Sequence, residues 1–182
     1  MKTESNVAYI ARLAVTLLLI TAVVAAGLAC VNAVTSPEIE ALNAQKTQNA
    51  VEAVLPGGGE EIAFTDDSGI VSTIYKGRSG YAVEVTPAGF NGTVTMMVGV
   101  DGTGKVLGIS VVNHTETAGL GAVAAANTAA GSAFRDQFAG MSGSVSVKKD
   151  GGQVDALTGA TITSRAVCTG VNAALSVVAK LG

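Results

Sequence analysis

Tryptophan is absent, histidine occurs once and cysteine twice in the 182 residues of this chain. A single histidine, His114, excludes a histidine-rich catalytic or metal centre. Cys30 lies in an apolar run and Cys168 in a helix-like C-terminal stretch, too far apart in sequence for a local zinc, iron–sulfur or haem motif. A disulfide between them would need a thiol inside the apolar run to meet one in the polar remainder, so Cys168 reads as a small buried apolar residue. No basic run exceeds Lys148-Lys149 and the formal net charge is -3, which excludes nucleic acid as a partner. With no metal-ligating set and no catalytic residue of its own, any redox group must be borrowed.

What the chain does have is a long uncharged run. Leu13 to Val34 carries no charge, and at about 1.5 Å per residue it reaches roughly 33 Å, enough for a hydrocarbon core of about 30 Å. Lys2 and Arg12 precede the run and Glu38 and Glu40 follow it, a bias that places the N-terminus in the cytoplasm and the rest outside. The reading is a single-pass anchor of a cytoplasmic membrane: cytoplasmic residues 1–12, a transmembrane segment 13–34, a stalk helix 35–58 and an exported domain 59–182. A cleaved signal peptide is the alternative, since Ala25-Ala26-Gly27-Leu28-Ala29 offers small residues, but the run exceeds an ordinary signal core of about 7–15 residues. A lipoprotein site at Cys30 is disfavoured by Gly27, where a large aliphatic residue is expected.

The exported part alternates in period. Ser36-Pro37-Glu38 has the cap, first-turn proline and acidic residue of a helix start, and Gly57-Gly58-Gly59 stops that helix. Strand-like segments follow at 61–65, 70–76, 80–86, 93–100 and 105–112, with Tyr81, Val83 and Val85 alternating as in a half-buried strand. Beyond 113 the pattern predicts helices near 120–130 and 132–139, a short strand near 144–149 and a last helix over 162–181. In that helix Val167, Val171, Leu175 and Val178 form one stripe facing a sheet. Strands followed by helices predict an α+β fold, an antiparallel sheet flanked by helices, rather than a doubly wound nucleotide fold.

Two polar loops stand out. Asp155-Ala156-Leu157-Thr158-Gly159-Ala160-Thr161 leads into the last helix and sets a threonine hydroxyl at a helix N-terminus, where unpaired amides and the helix dipole favour a phosphate. Thr158, Thr161, Thr163 and Ser164 could equally cap that helix. His114-Thr115-Glu116-Thr117-Ala118-Gly119-Leu120-Gly121 follows a strand. Its glycines admit a flat ligand, Glu116 and Thr117 offer hydrogen bonds to a ligand edge, and Leu120 offers an apolar face. Taken alone it could be an ordinary strand-to-helix turn capped by Thr117.

These two loops and the segment carrying Gly80, Tyr81, Val83, Val85, Pro87, Gly89, Phe90 and Gly92 together resemble the FMN-binding domain of bacterial respiratory complexes. The likeness is greatest to the G component of the Rnf electron-transport complex, with the homologous C component of the sodium-pumping NADH:quinone reductase second, and it covers most of residues 37–182. The resemblance implies FMN bound covalently through its phosphate to Thr161, attached by a flavin transferase from FAD with Mg²⁺. Asp155 would order the loop or be read by the transferase. Thr158, Gly159, Ala160 and Ser164 would surround the phosphate, with Arg165 as a charge-assisted contact, while Glu116, Thr117, Gly119 and Leu120 would lie beside the ring. Ala118 stands where proline is common in the family.

The function so implied is an electron relay in a membrane-bound, ion-translocating ferredoxin:NAD oxidoreductase complex, with other membrane subunits as partners. A component of the sodium-pumping reductase and a stand-alone extracellular flavoprotein reductase are the alternatives. A pilin-like structural protein would also begin with an apolar helix, but the processing glycine with its closely following phenylalanine and acidic residue is missing.

Overall fold

The computed structural model describes residues 6–66 and 68–181. The polypeptide forms α1 (Asn6–Val54), five strands β1 (Glu60–Ile62), β2 (Val71–Lys76), β3 (Gly80–Val85), β4 (Val94–Asp101) and β5 (Val106–His114), then α2 (Ala129–Asp136) and α3 (Thr161–Leu181). Short 3₁₀ turns stand at Gly121–Ala124 and Lys148–Asp150. Two compact units divide between Ala44 and Gln45.

The expected break between an anchor and a stalk helix is absent. α1 runs for 49 residues with Pro37 inside it. Proline has no N–H and crowds the carbonyl four residues before it, yet the flanking turns stay helical. Beside it the Thr35 hydroxyl donates to the carbonyl of Val31 at 2.9 Å. Ser36, expected as a cap, instead reaches forward to the Glu40 carboxylate. Through the first unit the apolar side chains of α1 are exposed, Leu17 at 63% and Val34 at 77% among them. The glycine stop holds: Gly57 and Gly58 take left-handed φ of 91° and 65°, and the Gly57 amide donates to Glu52.

In the second unit the strands form one antiparallel meander in the order β1-β2-β3-β4-β5. One face carries Ile74, Val83, Val85, Met96, Val98, Val100 and Ile109 against α3 and against Phe134 and Phe138 of the α2 region. The stripe Val167, Val171, Leu175 and Val178 is buried as its spacing predicts. The opposite face bears Ala82 and Met97 under Ala50, Val51, Val54 and Leu55. Gly99 lets that last turn sit on the sheet, since a β-carbon there would collide with the Val54 backbone. β3, expected half-buried, is therefore covered on both sides, and its residue Ala82 is wholly buried.

The region after β5 is less regular than its composition suggests. The helix expected over 120–130 shrinks to the single turn Gly121–Ala124, and the one expected over 132–139 lies at Ala129–Asp136, where the Thr128 hydroxyl accepts from the Gly131 amide as an N-cap. The strand expected at 144–149 is reduced to one bridge between Val147 and Val154 and the 3₁₀ turn after it. Glycine and alanine supply few side-chain contacts, so side-chain hydrogen bonds to the backbone decide the path: Asn172 of α3 clamps both the amide and the carbonyl of Val145 at 2.8 Å.

Candidate functional site

Three chain segments converge at one end of the sheet: the β3–β4 hairpin turn, the exit of β5 and the start of α3. The hairpin closes through Gly89 N–H to the Gly92 carbonyl at 2.6 Å. Val94 pairs with His114 in the sheet register, which brings the turn beside the loop after β5. Asn91 and Thr115 lock the two together by reciprocal side-chain to carbonyl hydrogen bonds of 2.8 and 2.9 Å.

Glu116 pins all three. It is only 8% exposed; Oε1 accepts from the amides of Phe90 at 2.8 Å and Asn91 at 3.1 Å, and Oε2 from the Thr163 hydroxyl. Burial alone would raise its pKa, but the Thr163 hydroxyl, the two amides and nearby His114 outweigh it and hold the carboxyl below its ordinary value. Glycine is required on two sides of this carboxylate, because a β-carbon at Gly89 or Gly121 would land on its oxygens. Glu116, expected at a ligand edge, thus has both oxygens taken by the protein's own donors.

Beside this pin lies a cavity of about 330 Å³ lined by Phe90, Glu116, Thr117, Leu120, Gly121, Lys149 and the run Gly159 to Thr163. Thr161 is the first residue of α3 and half-buried. Ala160 precedes it and has no side-chain acceptor for the first amides of the helix, so those amides remain available to an anion. Gly159 makes the turn at φ 75°, a conformation that disfavours any side chain. The Lys149 ammonium lies 3.3 Å from the Thr161 hydroxyl. Arg165, expected as the cationic contact, is engaged elsewhere: its guanidinium grips Asp150 through two hydrogen bonds of 2.7 and 2.6 Å. That grip, ahead of the nearby charge of Lys149, lowers the Asp150 carboxyl.

The remaining expected site residues divide. Thr117 lines the cavity; its hydroxyl has no hydrogen-bond partner among the described residues and does not cap the following turn. Gly119, Asp155 and Thr158 line a second cavity, about 580 Å³, on the other side of Leu120. Asp155 pairs with Lys148 at 2.7 Å and has its backbone held by the Gln137 amide. Ser164 is fully buried, donating to the Ala160 carbonyl and accepting from the Leu157 amide, both at 3.0 Å. It shapes the loop from within.

The family model of the FMN-binding domain matches residues 89–176. The G component of the Na(+)-translocating ferredoxin:NAD(+) oxidoreductase complex of Acetobacterium woodii is 33% identical over 91% of this chain and 90% of its own length. The G component of the ion-translocating oxidoreductase complex of Methanosarcina acetivorans is 32% identical over 93% and 94%. The G component of the proton-translocating ferredoxin:NAD(+) oxidoreductase complex of Clostridium ljungdahlii is 33% identical over 81% and 80%. The chain belongs to this G-component family.

The residues of this G-component chain fit an FMN. Phe90, Leu120 and Ile162 are large apolar groups left 67%, 44% and 48% exposed around one cavity, a surface suited to a flat ring system. The half-buried hydroxyl, open helix amides and an ammonium suit its phosphate. Sequence reasoning missed Lys149, Ile162 and Thr163 as cavity residues, and knew Phe90 only through the family likeness. Lys149 stands twelve residues before Thr161 in an irregular turn, a separation that no periodicity marks. Among the described residues no cluster of ligating side chains could hold a metal ion.

Proposed function

We propose that this protein is an electron-relay subunit of a membrane-bound, ion-translocating ferredoxin:NAD oxidoreductase complex, carrying FMN on Thr161 as a phosphoester. The observation that carries the reading is the Thr161 hydroxyl at the entrance of α3, inside a cavity rimmed by Phe90, Leu120 and Ile162. The relatives' names support the wider assignment, since each is part of an oxidoreductase complex and two act between ferredoxin and NAD(+).

Attachment would be made by a flavin transferase. Thr161 Oγ1 attacks the FMN-side phosphorus of FAD, the new O–P bond replaces the bond to the AMP phosphate, AMP leaves with the electron pair, and the hydroxyl proton passes to a base of the transferase. Bound FMN supplies one- and two-electron redox chemistry that no side chain here provides. The chain's own residues hold it: Thr161 as the tether, the first amides of α3 and Lys149 at the phosphate, Thr117 as a hydrogen-bonding group, and Leu120 beside the ring, with Gly119 in the turn behind it. Asp155, Thr158, Gly159 and Ala160 form the loop that a transferase would read, and Ser164 keeps that loop in shape.

The uncharged run of α1, with its exposed apolar side chains, supports a single-pass anchor over 13–34. Residues 1–12 would then be cytoplasmic, with 35–58 as stalk and 59–182 as the FMN domain on the extracytoplasmic face. Other membrane subunits would take and give electrons there. The test is direct: co-express the full chain with a flavin transferase, denature in SDS and look for a fluorescent band under ultraviolet light. Thr161→Val should abolish the band and Thr158→Val should leave it. A band that survives Thr161→Val overturns the assignment.

A further inference from the structure

The turn Lys148–Asp150 places three charges next to the loop 155–161, and the partners of two of them are fixed. Lys148 pairs with Asp155 at 2.7 Å, and Asp150 pairs with Arg165 at 2.6 Å. Both ion pairs tie the turn to the segment that carries the acceptor threonine, one before it and one after. Lys149 stands between them, and its ammonium meets the Thr161 hydroxyl instead of a carboxylate. Val147 buried beneath the turn and Gly151 in a left-handed conformation at φ 83° fix its entry and exit. Among the described residues Lys149 has no carboxylate within ion-pair distance.

We propose that Lys149 is the cationic partner of the attachment site: its ammonium orients the Thr161 hydroxyl for phosphoryl transfer and neutralises the phosphodiester that results, while the two ion pairs of Lys148 and Asp150 hold it in place. The proposal rests on Thr161 as the attachment point. The geometry leaves the roles distinct, because Arg165 is committed to Asp150 and Thr161 has Lys149 as its charged neighbour. A lone hydroxyl at a helix entrance is a poor nucleophile. An ammonium on its oxygen favours the developing negative charge and the anion that replaces it. A single charge-assisted hydrogen bond of this kind changes a rate by about ten- to a hundredfold.

The experiment uses the full chain in detergent with a purified flavin transferase, FAD and Mg²⁺, following the fluorescent band in time at varied acceptor concentration. Lys149→Met should slow the attachment rate at saturating acceptor by at least about tenfold with little change in KM. Lys149→Arg should recover most of the rate and Lys149→Glu should be slower than Lys149→Met. Thermal unfolding of the unlabelled variants should match the parent, since Lys149 is exposed. Equal rates for Lys149→Met and the parent, equal slowing by Lys149→Met and Lys149→Arg, or a change confined to KM would overturn the proposal. If Thr161→Val abolishes the band while Lys149→Met attaches at the parent rate, the Lys149 assignment alone fails. A band that survives Thr161→Val removes the attachment reading beneath it.

Discussion

Among the described residues two helices are long and apolar enough to cross a bilayer, and they differ in where their side chains go. The candidate window in α1 has none of its residues buried, whereas 61% of that in α3 is buried against the sheet. Mean hydropathy separates them too, 2.6 against 1.3, because α3 interleaves its valines with Thr163, Ser164, Arg165, Thr169 and Asn172, polar groups that the domain either pairs or exposes. Apolar length is thus satisfied in α3 by a protein core, whereas the apolar run of α1 keeps its side chains exposed. A helix with one stripe has the pattern of a domain element; a run apolar all round has the composition that the proposed anchor requires.

One charge placed in each helix breaks the likeness most strongly. Val171→Lys in α3 buries an unpaired ammonium where exposure is 0%; the FMN domain is expected to lose its fold, with a cost above about 4 kcal/mol in chemical unfolding. Val24→Lys in α1 should leave that unfolding transition in place and instead weaken membrane insertion by about 2.5–3.5 kcal/mol, seen as release from membranes on carbonate extraction.

Glu116→Ala attacks the entrance of α3 from outside the helix. It leaves the part-buried Phe90 and Asn91 amides and the buried Thr163 hydroxyl without their acceptor and should cost about 2–4 kcal/mol in urea melts. Glu116→Gln sharpens the same point through pH. The native carboxyl titrates below its ordinary value, so the unfolded chain binds the proton more readily. The stabilisation is present above the unfolded pKa and is lost as pH falls through the native one. Urea melts between about pH 3 and pH 6 should therefore show a larger acid-side loss in the parent than in Glu116→Gln, which keeps only the share due to other lowered carboxyls such as Asp150. Smallest is a comparison of alanine scars: Val171→Ala in α3 should cost about 2 kcal/mol and Val31→Ala in α1 less than about 0.5 kcal/mol in the stability of the FMN domain.

The parts legible in the sequence were those with a period. The strands, the stripe Val167, Val171, Leu175 and Val178, and the glycine stop after α1 follow from repeat and turn chemistry. Pro37 misled because a proline after serine before a glutamate has the local pattern of a helix start, and local pattern does not report whether the preceding turn already exists. Residues 120–150 were illegible for a different reason. Their fold rests on side chains reaching backbone across the chain, such as Asn172 to Val145 and Gln137 to Asp155. Thr161 and Leu120, which line the smaller cavity, belong to motifs that a sequence displays. Lys149 belongs to none, and Glu116 was assigned outward because its three donors come from residues 90, 91 and 163.

The carboxylate of Glu116 also acts on time. Because one buried group holds the Phe90 and Asn91 amides and the first turn of α3, the hairpin tip cannot swing away while the helix entrance stays intact. Opening is a shared event. The amides of residues 90 and 91 should then exchange their hydrogens at a common rate, in step with the protection lost in the first turn of α3.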